Sequence, residues 1–262
     1  MITISIAKLS ESSVNEDAVL AKANLIAVSD GAGGGGLFAD LWSRYLVDNL
    51  PERPISTFSE LDSWIDGIWE TFYNDCEEKA KQEGGMLLNK FYDEGSFATL
   101  VVVWNDGHWM SYGDSVAFCY NKRTRELRHS FTRLVDFNNP PALINCKDPL
   151  LEDEFQSGFF DIDEDTVVFV ASDALAHYIL MMYEIANKDK YEKELQQAID
   201  AQTKDSNFVK AALSEKLVDF EDGLSKLLRA SKNKANFVRY IRSRKEKGLI
   251  ANDDYSLVIM NI

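Results

Sequence analysis

The apolar positions set the first expectations. Ile2, Ile4 and Ile6 alternate with polar residues, the two-residue period of a half-buried strand, and Asn24 to Val28 forms a second apolar run that stops at Ser29-Asp30. Beyond the glycine run Gly31 to Gly36, Leu37, Leu41, Trp42, Tyr45, Leu46 and Leu50 recur at helical spacing until Pro51 and Pro54 end the segment. Leu61, Ile65, Ile68, Phe72 and Cys76 share one face of a second predicted helix. From Gly95 the period shortens. Phe97 to Trp104, the turn Asn105-Asp106-Gly107, His108 to Tyr112 and Ser115 to Tyr120 read as consecutive strands of an antiparallel sheet. Residues 133–165, with Pro140-Pro141 and many acids, read as an irregular excursion before the strand Thr166 to Ala171. Between Leu175 and Lys247 the chain is amphipathic at helical spacing, and Tyr255 to Ile262 closes it as a strand entered from Asp253-Asp254. No repeat or linker interrupts this order, so residues 1–262 are expected to form a single domain of mixed strands and helices.

Composition narrows the partners. With 262 residues and 45% hydrophobic side chains the chain can fill a sizeable core. Its 43 acidic against 28 basic residues give a net charge of −15, which repels a phosphate backbone or an anionic leaflet and argues against nucleic acid and membrane as partners. Bound cations would offset part of that charge. Cys76, Cys119 and Cys146 are an odd number without CxxC spacing, which disfavours a disulfide framework and a thiolate metal site and points to the cytoplasm. The stretch MITISIAKLS lacks a basic region followed by an apolar one, and no window approaches the roughly 18 apolar residues of a membrane span.

Candidate chemistry lies where strands meet loops, in Ser29-Asp30-Gly31, Gly113-Asp114-Ser115, Ser172-Asp173-Ala174 and Asn252-Asp253-Asp254. Singly, each aspartate suits a turn or a helix cap. Together, oxygen donors without histidine or thiolate suit Mg²⁺ or Mn²⁺ better than zinc. The run Gly31-Ala32-Gly33-Gly34-Gly35-Gly36 matches GxGxxG, but Asp30 would repel a pyrophosphate there, and no second parallel strand ending in an acid follows. No GK[ST] is present, so a P-loop is excluded as well. The excess of glycines is expected to let the backbone approach an ion or its phosphate. His108, His129 and His177 read as residues of a hairpin strand, a strand end and a first helical turn.

In chain order, Asn15-Glu16-Asp17, Val28-Ser29-Asp30-Gly31-Ala32-Gly33-Gly34, Gly95-Ser96-Phe97-Ala98, Gly113-Asp114-Ser115, Ala171-Ser172-Asp173 and Asp253-Asp254-Tyr255-Ser256 resemble the metal-dependent serine/threonine phosphatases of type 2C, the PPM family, in its compact bacterial form. The resemblance implies an α+β fold, a four-layer αββα sandwich of two antiparallel sheets flanked by helices. It implies hydrolysis of phosphoserine or phosphothreonine in a phosphorylated protein by a metal-activated water, with two Mg²⁺ or Mn²⁺ ions and a weaker third. Asp30 would bridge two ions, the Gly31 carbonyl would meet one, Asp173 and Asp253 the other, and Glu16 would act through water. Asp17 matches an acid behind the ligands, and Asp114 with Asp173 matches the place of the third ion. Where many members carry a phosphate-binding arginine this chain has Ser12, and Lys8 is the cation nearest in sequence. Ala32, Ala174 and Val116 also depart from the pattern, and Asp253-Asp254 replaces Asp-Asn. A pseudophosphatase serving as a regulatory or phosphoprotein-binding module is the second reading. A monomer is assumed.

Overall fold

The computed structural model describes residues 1–9, 14–34, 36–215 and 219–260. Strands β1 (Ile2–Ile6), β2 (Ala18–Lys22) and β3 (Leu25–Ser29) lead into helices α1 (Ala39–Asp48), α2 (Phe58–Glu83) and α3 (Gly85–Glu94). Strands β4 (Phe97–Ala98), β5 (Leu100–Trp104), β6 (His108–Tyr112), β7 (Val116–Asn121), β8 (Glu126–His129), β9 (Ile144–Asn145), β10 (Phe155–Phe159) and β11 (Thr166–Ala171) follow. Helices α4 (Asp173–Ala186), α5 (Glu192–Asp200), α6 (Lys204–Ser214), α7 (Phe220–Ala230) and α8 (Lys234–Glu246) precede the last strand, β12 (Tyr255–Ile259).

The strands form two five-stranded sheets, β1-β12-β11-β7-β8 and β10-β6-β5-β3-β2, with β4 and β9 as a small separate pair. Every pairing in the two large sheets is antiparallel. Successive side chains of a strand point to opposite faces, so each inner strand feeds two cores. In β3 and β5, Leu25, Ala27, Leu100 and Val102 pack under Trp42, Leu46, Leu61, Phe72 and Phe91 of the first three helices. Their neighbours Ile26, Val28, Val101 and Val103 meet Ala117, Cys119, Val168, Val170 and Val258 between the sheets. On the far side, Phe118, Phe169, Leu257 and Ile259 pack beneath α4 and the helices after it. Four layers, αββα, result because strands apolar on both faces need a cover on each.

Several elements depart from the periodicity. The run Phe97 to Trp104 breaks at Thr99, whose amide turns aside to the Asp30 carbonyl at 2.8 Å. Strand β2 and helix α3 had no distinct pattern. The excursion 133–165 is partly regular: β10 extends the second sheet on β6, pairing Phe155 with Tyr112 and Phe159 with His108. Helix α1 begins at Ala39 and not at Leu37, because Phe38 sits in the left-handed region at φ 56°. No helix among the described residues is long and apolar enough to cross a membrane.

Candidate metal centre

Register places the acids. Ala171 pairs with Val116 and with Leu257, so Asp173, just past the end of β11, meets Asp114 and Asp253, just before the starts of β7 and β12. In the other sheet Ala18 pairs with Ser29, which brings Asp17 beside Asp30. Both sets lie at the same end of the sandwich, since Asp173, Asp114 and Asp253 all act on the charge of Asp30.

Hydroxyls form a floor beneath the carboxylates. Ser29 Oγ donates to the Thr99 carbonyl at 2.6 Å, the Asp30 amide donates to Thr99 Oγ1 at 3.3 Å, and Thr99 Oγ1 meets Ser115 Oγ at 2.7 Å across the two sheets. The Ser256 amide donates to Ser172 Oγ at 3.0 Å, and Ser256 Oγ lies 2.8 Å from Ser5 Oγ. These residues fix the backbone from which the acids project. Sequence reasoning assigned them no part, although polar residues at the ends of otherwise apolar strands were the available signal.

Burial and mutual repulsion shape the charges. Asp30 is raised well above the ordinary carboxylate range, first by burial and then by Asp17, Asp173, Asp114 and Asp253. Asp173 is raised by burial, Asp114 and Asp253, although it opens α4, where the helix dipole favours an anion. Burial, followed by Asp253, pushes Asp114 up to about 6. Asp17, only 2% exposed, is pushed up to about 7, chiefly by burial. Ser256 and Ser172 lie near enough to moderate that rise, but neither Asp17 oxygen has a properly formed hydrogen bond. Buried carboxylate oxygens without partners are costly unless a proton or a cation compensates them.

Glu16 is half-buried, and its pKa is raised by burial against the opposing pull of Lys8. Asp253 and Asp254 are distinguished by their partners. The buried Asp254 accepts the Lys8 amide at 2.7 Å and the Glu16 amide at 2.6 Å, one on each oxygen, and so ties the β1–β2 segment to β12. Asp253 is half-buried and accepts only the amide of Asp254 among the described hydrogen bonds, at 2.9 Å. Ser12 lies outside the described residues. His177 turns away from the acids, with Phe137 and Phe208 edge-on at 5.3 and 6.0 Å between ring centres.

The glycine loop packs closely against the rest of the chain. A Cβ on Gly31 would stand 2.6 Å from the Glu16 carbonyl and 2.7 Å from that of Ala39, and one on Gly33 would stand 2.0 Å from Glu16 Oε1. One on Gly36 would meet the Gly95 carbonyl at 2.9 Å, whereas Gly34 has open space. Close approach to the protein itself, above all to Glu16, requires these glycines; Gly35 lies outside the described residues. Gly31 bridges to Ala98 through its neighbours' groups, Ala32 N–H to Phe97 and Thr99 N–H to Asp30, which leaves its own carbonyl outside that ladder. Gly31→Ala meets backbone on two sides and is expected to cost about 1–3 kcal/mol by overpacking. Urea unfolding would measure that loss, and an unchanged midpoint would contradict the close packing.

The donors suit a hard divalent cation: carboxylates and a free backbone carbonyl, with the unpartnered Asp17 behind them. Among the described residues no three His, Cys, Asp or Glu side chains are drawn together as a ready cage. Repulsion among the acids opposes closer approach until positive charge is supplied. A cleft of about 220 Å³ opens beside Asp114, walled by Phe131 and by Asp136, Pro140, Pro141 and Glu154 of the excursion.

Two antiparallel sheets between helical layers, with acids converging at one end, make this the fold of the PPM-type serine/threonine phosphatases. The chain is similar to the catalytic domain of the serine/threonine phosphatase PstP, solved with two manganese ions, at 16% identity over 98% of this chain and 95% of that one, with a TM-score of 0.51. It is similar to PstP/Ppp of Mycobacterium tuberculosis at 15% identity over 98% and 95%, with a TM-score of 0.51. To Stp1 of Staphylococcus aureus the identity is 13% over 100% and 95%, with a TM-score of 0.50. No protein-family model matches the chain, and no curated protein matches it.

Proposed function

We propose that residues 1–262 form one catalytic unit that hydrolyses phosphoserine or phosphothreonine in proteins with Mg²⁺ or Mn²⁺. The convergence of Asp17, Asp30, Asp114 and Asp173 on one end of the sandwich carries this reading, because burial and like charge raise all four together. In it Asp30, the Gly31 carbonyl, Asp173 and Asp253 would hold the two ions, with Asp30 shared between them. Glu16 would act through water, and Asp114 with Asp173 would hold a weaker third ion. Bound cations supply Lewis acidity, lowering the pKa of water and offsetting charge on the phosphoryl oxygens.

The chain's own residues orient that chemistry. Thr99 and Ser29 fix the backbone at Asp30, and Asp17 sets its charge from behind. Asp254 holds Glu16 in place through its amide. Ala32 has no proton to give, so the leaving oxygen takes one from solvent. Lys8 acts electrostatically on Glu16 and is the cation this reading brings toward substrate phosphate. The three cysteines are buried and unpaired, which supports a reducing, cytoplasmic setting.

Hydrolysis of a phosphopeptide with Mn²⁺ tests the proposal. Chelation, and separately Asp173→Asn, are expected to reduce the rate at least ~100-fold. Activity that survives both sinks the two-metal reading. Mn²⁺ at a hundred times its Kd adds about 2.7 kcal/mol of stability, a rise of roughly 5–10 °C in Tm for a chain of this size. The second reading, a phosphoprotein-binding module, is motivated by Ser12 and Ala174, which depart from the phosphatase pattern. Phosphopeptide binding without turnover by the Mn²⁺-loaded protein would decide for it.

A further inference from the structure

Charge along the chain is unevenly spread. Residues 226–247 contain nine lysines and arginines against a single acid, Glu246, in a chain of net charge −15. These residues cover the end of α7 and all of α8, two helices joined by a short turn. Between them lies a groove of about 380 Å³ lined by Lys226, Arg229 and Ala230 from α7 and by Asn236, Arg239, Tyr240, Ser243 and Arg244 from α8. The i, i+3, i+4 and i+7 spacing of the α8 residues puts them on one face. None of the carboxylates of the metal centre lines it.

The groove's arginines are available for a partner. Arg123, Arg125 and Arg133 each lie within 4 Å of a carboxylate, whereas Arg229, Arg239 and Arg244 have no such partner among the described residues. Of the lining cations only Lys226 is paired, with Asp222 at 2.6 Å. Arg244 lies over the Tyr240 ring at 4.9 Å, and its buried Nε has no acceptor. Tyr240 is itself held by the hydroxyl of Tyr178 on α4 at 3.1 Å. The wall is therefore organised before anything binds, and it offers guanidinium donors that lack an acceptor.

We propose that the α7–α8 groove is a docking site for a short acidic segment of a protein partner, gripped by Arg229, Arg239 and Arg244. Guanidinium forks match carboxylate oxygens in paired hydrogen bonds, which a flexible lysine does not do. The size of the occupant follows from the charge elsewhere. An extended polyanion or an anionic leaflet would overrun the groove onto a surface whose remaining charge is strongly negative, whereas a few acidic residues stay within it.

Fluorescence anisotropy with a short labelled Glu/Asp-rich peptide tests this on the full chain. Arg229→Glu with Arg239→Glu is expected to weaken binding about tenfold or more, and Arg239→Gln to weaken it less, because close charge pairs dominate such contacts. Both side chains are exposed, so folding should be unaffected. Arg242→Glu makes the same kind of charge change on an exposed residue outside the groove and should alter binding within about twofold. No peptide binding, or equal weakening by Arg242→Glu, overturns the proposal. So does tighter binding of a single-stranded oligonucleotide or of phosphatidylserine vesicles. Sedimentation showing self-association that Arg229→Glu abolishes would make a second copy the occupant and equally overturn it. The readout is binding, so it is independent of whether the metal centre hydrolyses phosphate.

Discussion

Asparagine in place of Asp30 is expected to abolish Mn²⁺-dependent hydrolysis and at the same time to stabilise the metal-free protein. The loss of rate should be on the order of 10²–10³-fold or more, because the carboxylate proposed to be shared by two ions is removed from the place where charge would develop. The gain in stability has a separate origin. Asp30 is raised well above its ordinary value of 3.8 by burial and by four other aspartates, so each step of ionisation above that value works against the folded state. The substituted side-chain amide carries no charge to repel them. Metal-free Asp30→Asn should therefore be more stable by on the order of 1–2 kcal/mol at pH 8, and the difference should vanish at about pH 3, where the carboxyl is neutral in both folded and unfolded chains. Urea unfolding at the two pH values checks this. A variant that is inactive but less stable at pH 8 would mean that Asp30 is needed for packing and not merely poised for a cation.

The second large effect lies away from the acids, on the buried face of α4. Glu184 is 3% exposed, has one oxygen without a partner, and is pushed up from 4.5 to about 8 by burial and then by Glu194. A carboxyl whose folded pKa exceeds its unfolded one favours folding while protonated, and that advantage is lost as pH rises from about 4.5 through about 8. Above that range its ionisation costs the folded state roughly 3–6 kcal/mol. His177, 5% exposed, is lowered from 6.5 to about 4 by burial alone, so it destabilises in the opposite direction, as pH falls from about 6.5 to about 4. Between about 4.5 and 6.5 the two slopes oppose each other, and above about 6.5 the Glu184 slope adds to that of the raised acids of the metal centre. Glu184→Gln is expected to make the alkaline decline shallower and leave the acid one, and His177→Leu to do the reverse. Chemical denaturation from acid to mildly alkaline pH would show it. An unchanged alkaline slope in Glu184→Gln would place that carboxylate in contact with water.

Legibility differed by element for physical reasons. Strands β3, β5 and β11 were plain from unbroken apolar runs, because both their faces are covered, and β1 from its alternation, because every second residue of a strand shares an environment. The helical faces of α1 and α2 were plain for the same reason at another period. Strand β10 was not, since Phe155 to Phe159 pairs at a sheet edge where no apolar alternation is required. The acids stood out because each is local to a strand end, a place a reader can find without knowing which strands are neighbours.

What the sequence by itself determined, then, is the kind of layer each segment joins, the order of the acidic motifs and the excess of negative charge. Tertiary structure decided the rest. Antiparallel register, and nothing in the spacing, brings Asp114, Asp173 and Asp253 to one end and sets Asp17 and Asp30 opposite them. Contacts across 238 residues separate Asp254, which clamps the Glu16 amide, from Asp253, which is left facing the site. Gly31 and Gly33 are needed because Glu16 packs against them. The basic groove likewise exists only because α7 and α8 lie side by side. A sequence period records how one segment alternates between core and water; it carries no record of which distant segment packs against it, and the chemistry of these sites is made by those distant neighbours.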